Sequence, residues 1–114
     1  MNMIKNKVQL IGHLGQSPDI KVLEGERKVA NMSLATKENY KDATGAKVSD
    51  TQWHSIVAWG RLAEFAEKFL TKGIHVAVDG KLVNRAYIDK TGVKRSVTEI
   101  HVHEILIITP KKEM

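Results

Sequence analysis

The sequence predicts a mostly β domain: a five-stranded Greek-key barrel with one helix between strands three and four. Three observations carry this. Apolar residues alternate with period two through five segments separated by turn residues. One stretch, after the third segment, switches to helical spacing. The 114 residues contain no linker, low-complexity run or internal repeat, which points to one domain rather than two. The expected limits are a domain over 1–109 and a short basic tail over 110–114.

Val8-Gln9-Leu10-Ile11-Gly12-His13-Leu14 opens the set. Ser17-Pro18-Asp19 and Glu24-Gly25-Glu26 are turn signals before the second strand, over 29–37. That strand places Ala30, Met32 and Leu34 on one face and Asn31, Ser33 and Ala35 on the other. Tyr40 then sits at the base of a loop that turns at Ala43-Thr44-Gly45. The third strand, over 51–60, sets His54, Ile56 and Ala58 opposite Trp53, Ser55, Val57 and Trp59. The helix, over 61–72, spaces Leu62, Phe65, Ala66, Phe69 and Leu70 onto one face, with Gly73 as its expected C-terminal cap. Phe65 and Phe69, four apart, are expected in the core. Ile74, Val76, Val78 and Leu82 alternate along the fourth strand, which ends at Tyr87. Lys90-Thr91-Gly92 turns into the fifth, over 93–108. Gly12 and Gly80 are where long strands can bend, because a missing side chain permits a bulge or barrel corner. This element order is that of the OB-fold, often used for oligonucleotides. Fold alone does not fix function.

Composition narrows the classes. At 42% hydrophobic residues the chain is not a disordered tail protein. It has no Cys, which excludes a disulfide scaffold, a Cys-based zinc site and a thiol nucleophile. No apolar run approaches the roughly 18 residues of a membrane helix, and the start makes a poor signal peptide. The expectation is a soluble cytoplasmic protein with no membrane role. A net charge of +5 suits nucleic acid, an anionic membrane or an acidic protein, and charge does not choose among them.

The six aromatic residues choose better. With Phe65 and Phe69 assigned to the helix, Tyr40, Trp53, Trp59 and Tyr87 remain. Trp53 and Trp59 share one face of a strand, roughly 20 Å apart at about 3.3 Å per residue. Lys37 and Lys41 flank Tyr40, Arg61 follows Trp59, and Arg85 precedes Tyr87 on the same side, with Lys94 and Arg95 across the last hairpin. Aromatics interleaved with cations suit single-stranded nucleic acid: bases stack on rings while phosphates follow a positive groove. The alternative is that both Trp fill the barrel and the cations form a solvated face.

Several segments resemble bacterial single-stranded DNA-binding proteins. They are Asn6-Lys7-Val8-Gln9-Leu10-Ile11-Gly12-His13-Leu14-Gly15-Gln16-Ser17-Pro18-Asp19, Val29-Ala30-Asn31-Met32-Ser33-Leu34-Ala35-Thr36, Phe69-Leu70-Thr71-Lys72-Gly73 and Val78-Asp79-Gly80-Lys81-Leu82. The most specific is Thr51-Gln52-Trp53-His54-Ser55-Ile56-Val57-Ala58-Trp59-Gly60-Arg61-Leu62-Ala63-Glu64. The resemblance spans about residues 3 to 108. It implies bases stacked on Tyr40, Trp53, Trp59 and Tyr87, and phosphates held by Lys21, Lys41, Arg61, Lys72, Arg85 and Arg95. Ala86 stands where the family often carries another base, and Tyr87 where it often carries a larger Trp. The resemblance further implies a nucleoid-associated homotetramer that wraps single-stranded DNA in replication, recombination and repair. Lys7, Val8, Gln9, Leu10 and His54 would lie at subunit contacts. Relatives usually end in an acidic tip that recruits replication and repair proteins. Thr109-Pro110-Lys111-Lys112-Glu113-Met114 carries no such tip, so the expectation is a truncated or short variant without tail-mediated recruitment.

Other constellations are weaker. His101 and His103 share a strand face with Glu99 and could hold a metal with a third ligand such as His75, but the polar outer face of a terminal strand is the better explanation. His13 is expected on the pairing or interface side of the first strand. The acids are scattered and no phosphate-binding Gly loop is present, so no enzyme, cofactor or metal is expected. A short primosomal-type OB adaptor in replication restart is the alternative function, and an RNA-binding OB protein comes after it.

Overall fold

A computed structural model describes residues 5–108; the expected basic tail over 110–114 lies outside them. The alternating segments form strands β1 (Val8–Leu14), β2 (Asp19–Val22), β3 (Lys28–Lys41), β4 (Lys47–Trp59), β5 (His75–Ile88) and β6 (Lys94–Ile107), with helix α1 (Arg61–Phe69) between β4 and β5. The sheet order is β1-β5-β6-β4-β3-β2, and an extra β1–β3 pairing closes five of the strands into a barrel. All pairings are antiparallel except β4 with β6, which meet in parallel at Ile56↔Ile100 and Val57↔His101. The predicted architecture is therefore present. Leu34, Ile56 and Val76 are the largest side chains wholly inside, packed with Leu14, Val78 and Ile100.

Two glycines make closure possible. A Cβ on Gly12 would lie 2.1 Å from the Ala35 carbonyl oxygen, and one on Gly80 would lie 2.3 Å from that of His101. Gly12 stands where β1 passes from β5 to β3, and Gly80 marks a register shift between β5 and β6. Both bends fall where the sequence placed them.

Four details differ from the sequence reading. β2 is an additional short strand on the edge of β3; its four residues alternate, Asp-Ile-Lys-Val, but so short a run between two turn signals does not stand out as a strand. The loop expected around Tyr40 is instead strand, because β3 and β4 stay paired out to Lys41↔Lys47. The helix ends at Phe69 rather than at 72, with Leu70 extended, so Lys72 is not on it. Gly73, at φ 86°, serves the turn into β5, where its N–H donates to the Leu14 carbonyl. Phe69 is 56% exposed, and only Phe65 leans on the core. The buried stripe runs instead through Ala63, Ala66 and Leu70. At about 100° per residue this places Phe65 and Phe69 on its shoulder, where their rings pack on each other, 5.2 Å apart.

Both long hairpins end in the same turn, Asp-x-Thr-Gly-x. In one, Asp42 Oδ1 accepts from the Thr44 and Ala46 N–H groups and the Thr44 hydroxyl. In the other, Asp89 Oδ1 accepts from the Thr91 and Val93 N–H groups and the Thr91 hydroxyl. Gly45 and Gly92 supply the positive φ, 84° and 85°. The Arg95 guanidinium bonds Asp89 Oδ2 at 2.8 Å and, with the Thr91 hydroxyl, lowers the Asp89 carboxyl to a pKa of about 2. A depressed carboxyl stabilises the folded hairpin above its ordinary pKa, 3.8, and that contribution disappears as pH falls through about 2. The amide resonances of Thr91 and Val93 are expected to hold their positions down to about pH 4 and to move below it; movement centred near neutral pH would contradict this turn.

Candidate nucleic-acid interface

Strand alternation sorts the side chains into two faces. Leu34, Ile56 and Ile100 point into the barrel. Their neighbours one position along point out, and strand pairing aligns these in rows. One row crosses the sheet through Asp19, Asn31, Val57, His101 and Lys81. Trp53 lies to one side of it, opposite Ala35, and Trp59 to the other, in a row with Val29 and Lys21. The two tryptophans are 63% and 39% exposed, so they do not fill the barrel. Between them is a groove of about 360 Å³ whose lining includes Asn31, Ser33, Ser55, Arg85 and Glu99.

Each ring has a specific support. A Cβ on Gly15 would lie 2.5 Å from the Trp53 ring, so the ring rests where only glycine leaves room. Gly15→Ala is expected to displace the ring and change the tryptophan emission and near-UV circular dichroism of a still-folded protein; unchanged spectra would contradict this packing. Trp59 has the Arg27 guanidinium 6.0 Å from its ring and the His101 ring 6.3 Å away. Tyr87 pairs across the hairpin with Arg95, and the Arg85 guanidinium lies 5.7 Å from its ring. Tyr87, Arg85, Glu99 and His101 stand on the same outward side as the tryptophans by register.

Tyr40 is different. It pairs with Val48 on the opposite side of the β3–β4 ribbon from Trp53, beside a groove formed with Lys41, Lys47 and Ser49. The structure thus brings three of the four selected aromatics to one face and sets the fourth on the other side of a protruding ribbon.

The selected cations are all exposed. Lys21 lies on β2, Lys41 at the tip of the β3–β4 ribbon, Arg61 at the start of α1 and Lys72 after its end. Arg85 and Arg95 are exposed too but hold acidic partners, Glu99 and Asp89. Glu99 is 7% exposed, the only buried charged residue among the described residues. Arg85 Nε donates to its Oε1 at 3.1 Å and Nη2 to Oε2 at 3.5 Å; His101 Nε2 lies 3.1 Å from Oε1. Burial alone would push the Glu99 carboxyl up, but the Arg85 and His101 hydrogen bonds outweigh it and hold it below its ordinary range. An ionised carboxylate only accepts, so His101 Nε2 carries a proton.

The histidines do not gather into a metal site. Glu99 and His101 meet, but His75 is stacked on His13, with ring centroids 4.3 Å apart, six positions along β5 from the partner of His101. No group of three metal-ligating residues occurs among the described residues. His54 is half-buried with its Nε2 2.9 Å from Thr36 Oγ1.

The chain matches the model of the single-strand binding protein family over residues 5–108. It belongs to that family. It is 46% identical over 96 residues to single-stranded DNA-binding protein 1 of Chlorobaculum tepidum, covering 83% of this chain and 59% of that relative, so it spans under two thirds of the relative's length. Its fold matches a Plasmodium falciparum single-strand binding protein solved in complex with single-stranded DNA. The TM-score is 0.81 at 36% identity, over 96% of this chain and all of that one.

Three parts of this candidate face carry little or no signal in the sequence. Arg27 lies far from Trp59 in sequence, and only the register of β3 on β4 joins them. Gly15 gave no signal beyond its type. Glu99 shares a face with His101 by spacing, but only its pairing opposite Val83 sets it among the outward aromatics.

Proposed function

We propose that this protein binds single-stranded DNA without sequence preference, stacking bases on Trp53, Trp59 and Tyr87 along the outer face and on Tyr40 at the ribbon. The observation that carries this reading is two exposed tryptophans flanking a groove on a net-positive domain. Large aromatic rings exposed along one face, beside cations, mark an interaction surface, and a base offers a π-face to each. Lys21, Lys41, Arg61, Lys72, Arg85 and Arg95 would neutralise phosphates. The activity is binding, not catalysis. It fits the single-stranded DNA in the neighbour's complex and the name of the curated relative.

Self-association into a homotetramer that wraps the strand belongs to the same reading. β1 pairs with β3 only at His13 and Leu14, so the edge over Val8 to Gly12 is open. Beside it Ile11 and Leu106 are 61% and 60% exposed, and Asp79 keeps Oδ1 buried and unpartnered while Oδ2 bonds Lys7 at 3.2 Å. An open strand edge next to an apolar patch suits a second copy. Val8, Gln9 and Leu10 lie on that edge. Protection of single strands in replication, recombination and repair is the setting this activity serves.

The test is a binding comparison across salt. Affinity for oligo(dT) should exceed that for matched duplex or RNA, and log affinity should fall with log salt by roughly 0.7 per phosphate neutralised. Arg85→Ala should reduce that slope by about one contact. Light scattering should give a tetramer. Equal affinity for duplex, an unchanged slope, or a stable monomer would each remove the corresponding part.

A further inference from the structure

We propose that Glu99 is a positioning residue for DNA binding: an internal anion that holds Arg85 beside Tyr87 and His101 beside Trp59. This rests on the reading of the outer face as the path of single-stranded DNA. A buried carboxylate in the middle of a surface that receives a polyanion opposes binding by its charge, so its presence calls for another role. The contacts supply one. Glu99 accepts from Arg85 on one side and His101 on the other, and those two side chains are the neighbours of Tyr87 and Trp59. The chain Trp59, His101, Glu99, Arg85, Tyr87 thereby links two stacking platforms through one carboxylate.

The geometry favours support over competition. A guanidinium has five N–H donors in a rigid fork. Glu99 takes the Nε–H and one from Nη2. The remaining donors, at the end away from Glu99, stay available, and the Arg85 side chain is 55% exposed. A phosphate can therefore bind Arg85 without displacing Glu99. An Arg85 released from Glu99 would sample many rotamers, and ordering it again on DNA would weaken binding.

The experiment turns on sign. Charge alone says that removing Glu99 strengthens DNA binding; positioning says that it weakens it. Glu99→Ala is expected to weaken oligo(dT) binding about tenfold, or about 1.4 kcal/mol, and Glu99→Gln, which keeps an acceptor, by less. In an Arg85→Ala background the same Glu99 change should weaken binding clearly less, because much of its effect passes through Arg85 and only the His101 arm remains. If Glu99→Ala does not fold, Glu99→Gln decides alone, with weaker binding expected. Unchanged or tighter binding by the folded variants would overturn the proposal while leaving the DNA-binding reading intact. A DNA-free measurement separates the two further: the Arg85 Nε–H resonance should be protected from exchange in the wild type, lose that protection in Glu99→Ala and keep part of it in Glu99→Gln. No protection in the wild type overturns the positioning role; no oligo(dT) binding by the wild type overturns the reading beneath it.

Discussion

Replacing Trp53 with alanine is expected to weaken binding of oligo(dT) by about 1–3 kcal/mol, the worth of one stacked base, or roughly 5- to 150-fold. Stability should change little. Trp53 is 63% exposed, and its packing is limited to one side, over Gly15. A surface change of this kind usually stays within about 0.5 kcal/mol, with some allowance for the lost ring contact. Affinity by titration and the urea midpoint together check both halves. A folded variant with wild-type affinity would remove Trp53 from the path. A variant that unfolds would make it a structural residue instead.

The second large effect lies one step along the chain pairing. Leu34 pairs with His54, next to the Ala35↔Trp53 pair, but points inward and is wholly buried. Leu34→Ala is expected to destabilise the domain by about 2–5 kcal/mol, from lost transfer energy and the cavity left behind. Domains of this kind hold about 5–15 kcal/mol in total, so the urea midpoint should fall markedly with its slope unchanged. Its affinity for oligo(dT), measured where the variant is still folded, should stay near wild type. A midpoint within experimental error of wild type would contradict the barrel packing. The contrast between Leu34 and Trp53 tests the central structural statement that two faces of one strand pair carry two separate functions.

Much of this was legible in the sequence because strands write their faces in a period of two. The alternation of Ala30, Met32 and Leu34 against Asn31, Ser33 and Ala35 marks the second barrel strand, and the parity of Trp53 and Trp59 puts both on one face, which the structure shows to be the outer one. Close approach of two backbones needs glycine, so Gly12 and Gly80 marked the bends. What failed was what depends on third partners. Helical spacing puts the large Phe residues in the buried stripe, whereas the space against the barrel admits Ala63 and Ala66. Tyr40 looked like a loop residue because nothing local says how far two strands remain paired. The relation of Arg27 to Trp59 exists only once β3 is laid on β4, and that of Glu99 to Arg85 only once β5 is laid on β6. Long-range register is absent from composition and spacing, and the site depends on it.

Both tryptophans should face the bound strand. The chain has only these two, both on the outer face, so its tryptophan emission reports the proposed path directly. Titration with oligo(dT) should quench that emission saturably, and high salt should reverse the quenching. Emission that stays unchanged at saturating oligo(dT), while binding is seen by another method, would contradict stacking on Trp53 and Trp59.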